Sequence, residues 1–369
     1  MTQLKIIKLN FNAPLHISKG KNEYDSSEQL VHSDTLKSAL YVMAKRLGLK
    51  EAESGKGFFD KFALSSAFPY IGEEYFFPKP MVKLPFTLEG LEGKKAQSKQ
   101  AKILKKVKDK KAQSKQAKIL KKLEYIGKSL FEKVLKGEEY EFEKWEVLAK
   151  GKMLSNHSQF EPNSQRLERQ DRTYKAEQAG RVFIPPLGSE EAPMPFYMER
   201  LHFAENAGLY VVVDAVADFY SETLLPALRL LADEGIGTRR HLGNGTFDLE
   251  EAEMTLELPA MGEARHWMNL GLYCPTHEEW KTNREALKES SFGLMKRGGW
   301  LSSPEVETNI SFRKQSLYMF SEGSVFAFGD WKGKGMIVRG DVKDIAPEIV
   351  DVAHEVWRDG TSVFVPISI

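Results

Sequence analysis

The sequence predicts an α+β fold in which sheets are covered by helices on one face. Runs with strand character outnumber helical ones, the connections between them are long, and each helical stretch carries one apolar stripe. A doubly wound parallel sheet would need strand and helix to alternate throughout. With 369 residues, 41% of them hydrophobic, the chain is long enough for two domains with a large buried core. The same composition excludes a wholly disordered, collagenous or disulfide-stapled protein.

The elements follow in order. Leu4 to Phe11 is a β-like run. Ser33 or Asp34 caps a helix whose Leu36, Leu40, Met43 and Leu47 fall at helical spacing, and Gly48 stops it. The stretch from Gly151 to Gly180 has no sustained periodicity and reads as an excursion from the first domain. Leu209 to Val216 is a buried strand. The next helix places Leu224, Leu228 and Leu231 on one face, accepts Pro226 in its first turn and ends at Gly235. Leu256–Leu258, Trp267–Tyr273, Ser316–Phe328, Gly335–Arg339 and Ser362–Ile369 are read as strands.

A net charge of +1 conceals a division. Between Lys94 and Lys122 there are thirteen lysines and one acid, Asp109, a local charge of +12, so the rest of the chain carries 1 − 12 = −11. An acidic body does not attract nucleic acid indiscriminately, so any RNA must be held by localised basic loops. The lysine tract repeats KKAQSKQAKILKK at 94–106 and again at 110–122, offset by sixteen residues. That offset turns a helix by about 160°, so Ile103/Leu104 and Ile119/Leu120 would face opposite ways. The tract reads as a surface insertion, either two short helices or a partly disordered arm. A solvated appendage and an RNA-touching arm remain the alternatives.

One cysteine, Cys274, cannot make an internal disulfide. No apolar run approaches the ~20 residues of a membrane span, and the N-terminus lacks the apolar core of a signal peptide. The expected location is cytoplasmic.

The sharpest local feature runs from Gly235 to Thr246, GIGTRRHLGNGT. Gly235, Gly237, Gly243 and Gly245 free the backbone for positive φ and close approach. Consecutive N–H groups, with those of Thr238 among them, suit an anion nest, while Arg239 and Arg240 offer forked donors and His241 a ring. The loop has neither the lysine of a phosphate-binding P-loop nor the third glycine of the dinucleotide fingerprint. A mobile helix-to-strand connection is the plainer reading; the paired arginines favour RNA backbone.

A second cluster, Lys296-Arg297-Gly298-Gly299-Trp300, joins two cations, a flexible pair and an aromatic, and a plain β-turn explains it equally. Arg166, Arg169 and Arg172 recur every three residues. No nucleophile or metal motif is present, and Cys274-Pro-Thr-His277 lacks a second ligand pair. His16, His32 and His241 would make a metal-independent ribonuclease only if the fold brought them together.

Several stretches together resemble one family over nearly the whole length: HSDTLKSAL (32–40), SSAFPY (65–70), YFFPKP (75–80), RQDRTYKAE (169–177), the glycine loop (235–247), KRGGW (296–300), MFSEGSVF (319–326) and HEVWRDGTSVFVPI (354–367). The chain resembles the fourth Csm subunit, the repeat-associated (RAMP) subunit that caps the 5′ end of the crRNA in type III-A CRISPR effectors. KKLEYIGKSLF (121–131) resembles the family's continuation, so most of Lys94–Leu120 departs from it as an insertion.

The resemblance implies two ferredoxin-like (RRM-like) domains, residues 1–250 and 251–369. The first would carry the glycine loop, the basic insertion at 94–120 and a thumb-like excursion at 151–195. It implies a subunit that grips the repeat-derived 5′ tag and joins the large cyclase-polymerase subunit to the first backbone RAMP subunit, meeting target RNA indirectly. Cleavage, cofactor, metal and membrane are not expected; processing of crRNA precursor is the alternative. The RNA-binding residues expected are those of the glycine loop, together with Arg169, Arg172 and Thr173 of the thumb, Lys296, Arg297, Gly298 and Gly299, and His32 and Ser33.

Overall fold

In this computed structural model, which describes residues 2–18, 24–88, 117–142, 146–155, 173–185, 192–259, 264–301, 312–329, 337–338, 342–344 and 356–369, strand β1 (Thr2–Phe11) is buried on both faces. Its alternating side chains divide the interior. Leu4 and Ile6 join one apolar cluster, Ile7 and Leu9 another.

The helices α1 (Ser33–Arg46) and α2 (Gly55–Phe59) precede β2 (Phe62–Leu64), β3 (Phe68–Ile71) and β4 (Glu74–Pro78). Then come β5 (Phe86–Leu88), β6 (Tyr125–Gly127), α3 (Lys128–Lys136), β7 (Tyr140–Phe142), β8 (Glu146–Leu148) and β9 (Met153–Ser155). A long hairpin of β10 (Tyr174–Phe183) and β11 (Met194–Phe203) leads to β12 (Ala207–Ala215), α4 (Leu225–Glu234) and β13 (Phe247–Leu256). Among the described residues these strands build a nine-stranded sheet of order β13-β1-β12-β3-β4-β6-β9-β8, with β2 also on β12.

β12 repeats the division made by β1: Tyr210 and Val212 face one cluster, Leu209, Val211 and Val213 the other. α1 and α4 cover the second face through Leu36, Leu40, Leu228 and Leu231. On the first face, α3 packs beside Met268, Val363 and Val365 from the C-terminal third. Helices thus cover one face as expected. The other is closed by a helix and by strands.

The C-terminal third contains β14 (His266–Asn269), the helix α5 (His277–Asn283), β15 (Leu294–Arg297), β16 (Trp300–Leu301), β17 (Phe312–Arg313), β18 (Leu317–Phe320), β19 (Val325–Phe326), β20 (Ile337–Val338), β21 (Val342–Asp344), β22 (Trp357–Asp359) and β23 (Ser362–Ile367). β19, β14, β23 and β20 form a four-stranded sheet.

Several expectations need correction. β13 starts nine residues before Leu256 and pairs with β1 along its full length, so it runs straight through position 250/251. A break there would cut an edge strand. The N-cap of α1 is His32, which makes no side-chain cap; Ser33 and Asp34 lie inside the first turn and bond elsewhere. Gly48, at φ +65, does follow the last turn. Most of the lysine repeat lies outside the described residues. Its end, residues 117–122, is helical, and Ile119 and Leu120 pack against the core while Lys79 Nζ donates to the Leu120 carbonyl at 2.9 Å. Residues 117–122, the end of the second copy, therefore dock.

Because β1 separates two layers, Ile6→Ala and Ile7→Ala are expected to act independently despite being neighbours. Each should cost ~2–5 kcal/mol, and the double variant the sum of the two, in urea unfolding.

Candidate nucleic-acid interface

α4 ends where Gly235 turns to φ +78, its N–H still donating to the Leu231 carbonyl. The chain then doubles back. Ile236 N–H donates to Gly245 O at 2.9 Å, Gly245 N–H to Pro14 O at 3.0 Å and Thr238 N–H to His16 O at 2.9 Å. This closeness requires glycine. A Cβ at Gly245 would sit 1.9 Å from the Ile236 carbonyl oxygen, and one at Gly237 2.4 Å from that of His16, both at positive φ. Gly243 shares the left-handed conformation but has open space around it. Between them Arg240–Leu242 make a single 3-10 turn, with His241 and Leu242 exposed.

The two arginines part company here. Arg239, itself at φ +62, holds its guanidinium 5.1 Å from the Tyr24 ring and 5.7 Å from the Phe196 ring. It ties the glycine loop to Tyr24 and to β11 by cation–π contact. Arg240 instead lines an open cleft of about 480 Å³ with Gly235, Gly237 and Thr238, facing Thr35 and Ser38 of α1, and Arg297.

Arg297 reaches that cleft because Asp34 holds it there. Nε donates to Oδ2 at 3.0 Å, Nη2 to Oδ1 at 2.9 Å, and Nη2 also to Thr35 Oγ1 at 3.0 Å. Arg358 Nε lies 3.4 Å from the same carboxylate, and its Nη2 donates to the Gly298 carbonyl at 2.8 Å. Burial alone would raise the pKa of Asp34, but the two guanidinium groups draw it down to about 2. Two more buried pairs flank this one. Lys37 Nζ donates to Asp359 Oδ2 at 2.7 Å. His32 Nδ1 lies 2.8 Å from Glu322 Oε1, with Glu28 3.6 Å from Nε2. Burial opposes charge on His32, yet Glu322 outweighs it and the pKa rises.

The sequence-predicted residues therefore divide. Gly235, Gly237, Thr238, Arg240 and Arg297 come together at one cleft. His32 and Ser33 do not offer their side chains to it: both are buried, and the Ser33 hydroxyl accepts from Leu272 N–H at 2.9 Å. Thr173 is buried at the foot of the β10–β11 hairpin, its carbonyl accepting from Ala204 N–H. Gly298 and Gly299 form no turn but a bulge: the pair faces three residues, 314–316, between the β15–β18 and β16–β17 ladders. Lys296 is exposed on the outer side of that hairpin. Arg166, Arg169 and Arg172 lie outside the described residues. His16 is fully buried, its Nδ1 2.7 Å from the Glu199 carbonyl oxygen. With His32 also closed in, the three histidines share no open site.

Sequence reasoning missed Asp34, Tyr24, Phe196 and Arg358 as parts of this site. In the sequence Asp34 reads only as a cap, and no local signal links it to residues so distant in the chain. Among the described residues no group of three or more His, Cys, Asp or Glu is arranged to hold a metal, and no helix is long and apolar enough to cross a membrane.

Comparison with known proteins follows the same outline. Residues 262–367 match the family model of the CRISPR Csm4 C-terminal domain. The CRISPR system Cms protein Csm4 of Streptococcus thermophilus is 24% identical over 95% of both chains. That of Methanocaldococcus jannaschii is 25% identical over 99% of this chain and 98% of its own. Among solved structures, a chain of the Csm3–Csm4 subcomplex of the type III-A CRISPR-Cas interference complex superposes over the whole length at a TM-score of 0.61 and 16% identity. A chain of a Csm1–Csm4 cassette bound to cA4 gives 0.55 at 17%. The mixed α+β fold is thus shared.

Gly245→Ala is expected to cost clearly more than Gly243→Ala in urea unfolding, since only the first adds a clash to the ~1–2 kcal/mol of left-handed strain. Asp34→Asn should lose ~3–5 kcal/mol at neutral pH, because two buried guanidinium groups lose their counter-charge. The carboxylate's contribution is present above its unfolded pKa near 3.8 and disappears as pH falls through about 2, so that acid transition should vanish in the variant. The His32 contribution runs the other way, full below about 6.5 and lost as pH rises through its raised value.

Proposed function

We propose that this chain, which belongs to the Csm4 family, holds the repeat-derived 5′ tag of a crRNA in the cleft between the glycine loop and α1. It does not cut that RNA. The observation that carries this reading is the cleft itself: a backbone bend too tight for side chains at Gly237 and Gly245, with the guanidinium groups of Arg240 and Arg297 both lining it. Single-stranded RNA suits such a site, since an arginine beside a closely approachable backbone meets phosphates without reading a duplex. The acidic remainder of the chain limits indiscriminate binding.

In this reading the cleft is one side of a groove completed by neighbours. The large cyclase-polymerase subunit and a backbone RAMP subunit are the partners, and target RNA is met through them. The names of the solved Csm1–Csm4 and Csm3–Csm4 assemblies support that arrangement. The architecture is read as two ferredoxin-like units, the first closing with β13. The β10–β11 hairpin, exposed along most of β10 and at the start of β11, is the described part of the thumb that would wedge between tag and guide.

Arg240→Ala should weaken binding of tag RNA and lower the slope of log K against log salt by ~0.7, one phosphate contact, with unfolding unchanged. An unaltered slope, or cleavage of repeat RNA in EDTA by the purified chain, would overturn the reading.

A further inference from the structure

We propose that the outer face of the hairpin formed by residues 291–301 and 312–320 is a second RNA-binding surface. There Tyr318 stacks a base of a single-stranded segment, and Lys296 and Arg313 meet its phosphates. β15 pairs with β18 so that Lys296 stands directly opposite Tyr318 and Leu294 opposite Phe320. Strand alternation then sorts the side chains. Arg297 points inward to Asp34, and Met295 packs with the buried Met319. Leu294, Lys296 and Tyr318 point outward, with Leu294 59% and Tyr318 64% exposed. Phe292, 39% exposed, extends the same face and meets Phe320 edge-on at 5.0 Å.

Charge selects the occupant. Residues 291–301 and 312–320 carry Lys296, Arg297, Arg313 and Lys314 and no aspartate or glutamate, in a chain whose remainder outside the lysine tract is acidic. Arg297 is neutralised by Asp34; Lys296 and Arg313 are exposed. An apolar protein surface docked here would strip water from Lys296 without a counter-charge. Single-stranded RNA supplies both needs: a π face for the tyrosine and a phosphate for each cation. Beside Lys296, Gly298 and Gly299 leave their own strand without side chains, so a sugar-phosphate strand can come close to its backbone.

The surface lies on the opposite side of β15 from the cleft, so it stands or falls separately. The test is fluorescence anisotropy of the full chain with a fluorescein-labelled oligouridylate over a series of salt concentrations. Tyr318→Leu, which keeps the apolar bulk, should weaken binding about 5- to 150-fold, the range of one base–aromatic stack, while Tyr318→Trp should retain it. Lys296→Ala with Arg313→Ala should lower the salt slope by ~1.4, two phosphates. These losses should appear whether or not Arg240→Ala has any effect, which separates this surface from the cleft. Unchanged affinity in Tyr318→Leu, equal loss in Tyr318→Trp, or no binding by the wild-type chain at low salt would overturn the proposal. So would Tyr318→Leu that binds RNA normally but no longer co-purifies with neighbouring subunits, which would make the face a protein interface.

Discussion

One buried carboxylate ties the molecule together. Asp34 lies in the first turn of α1, almost without solvent exposure, between guanidinium groups of β15 and β22. Leaving either partner unmatched would strand a charge in a poorly hydrated interior, a penalty of several kcal/mol per ion. The arrangement therefore persists only as a set. It joins the helix that walls the cleft to the C-terminal third of the chain and fixes where Arg297 lies.

The neighbouring ion pairs extend this constraint along α1. Lys37 meets Asp359 one turn further on, and His32 meets Glu322 just before the helix begins. Three polar links at one helix, all to the C-terminal third, tie α1 to that part of the chain. Burial of ions this dense adds little net stability compared with apolar packing, but it penalises every misplacement of the helix. The cleft thereby acquires a wall in a fixed position, opposite a loop fixed by tight backbone contacts.

The loop's own rigidity comes from a division between two adjacent residues. Arg239 spends its cation on two aromatic rings, while Arg240 faces open space. A pair that looks redundant in sequence thus anchors with one member and presents the other. The same logic recurs on β15, where Arg297 turns inward and Lys296 outward because successive strand residues face opposite ways.

Local chemistry made much of this legible from the sequence. The apolar period of β1, α1, β12 and α4, the stop at Gly235 and the cluster of glycines with paired arginines depend on residues within a few positions of one another, and those signals sufficed. What they could not convey was which side chains are already taken. His32, Ser33, Arg239 and Arg297 read as available because their partners, Glu322, Leu272, Tyr24 with Phe196, and Asp34, lie far away along the chain and meet them only after folding. Backbone preferences are local and so are written in the sequence; the pairing of charges and hydrogen bonds is set by long-range packing, and only the tertiary structure decided it.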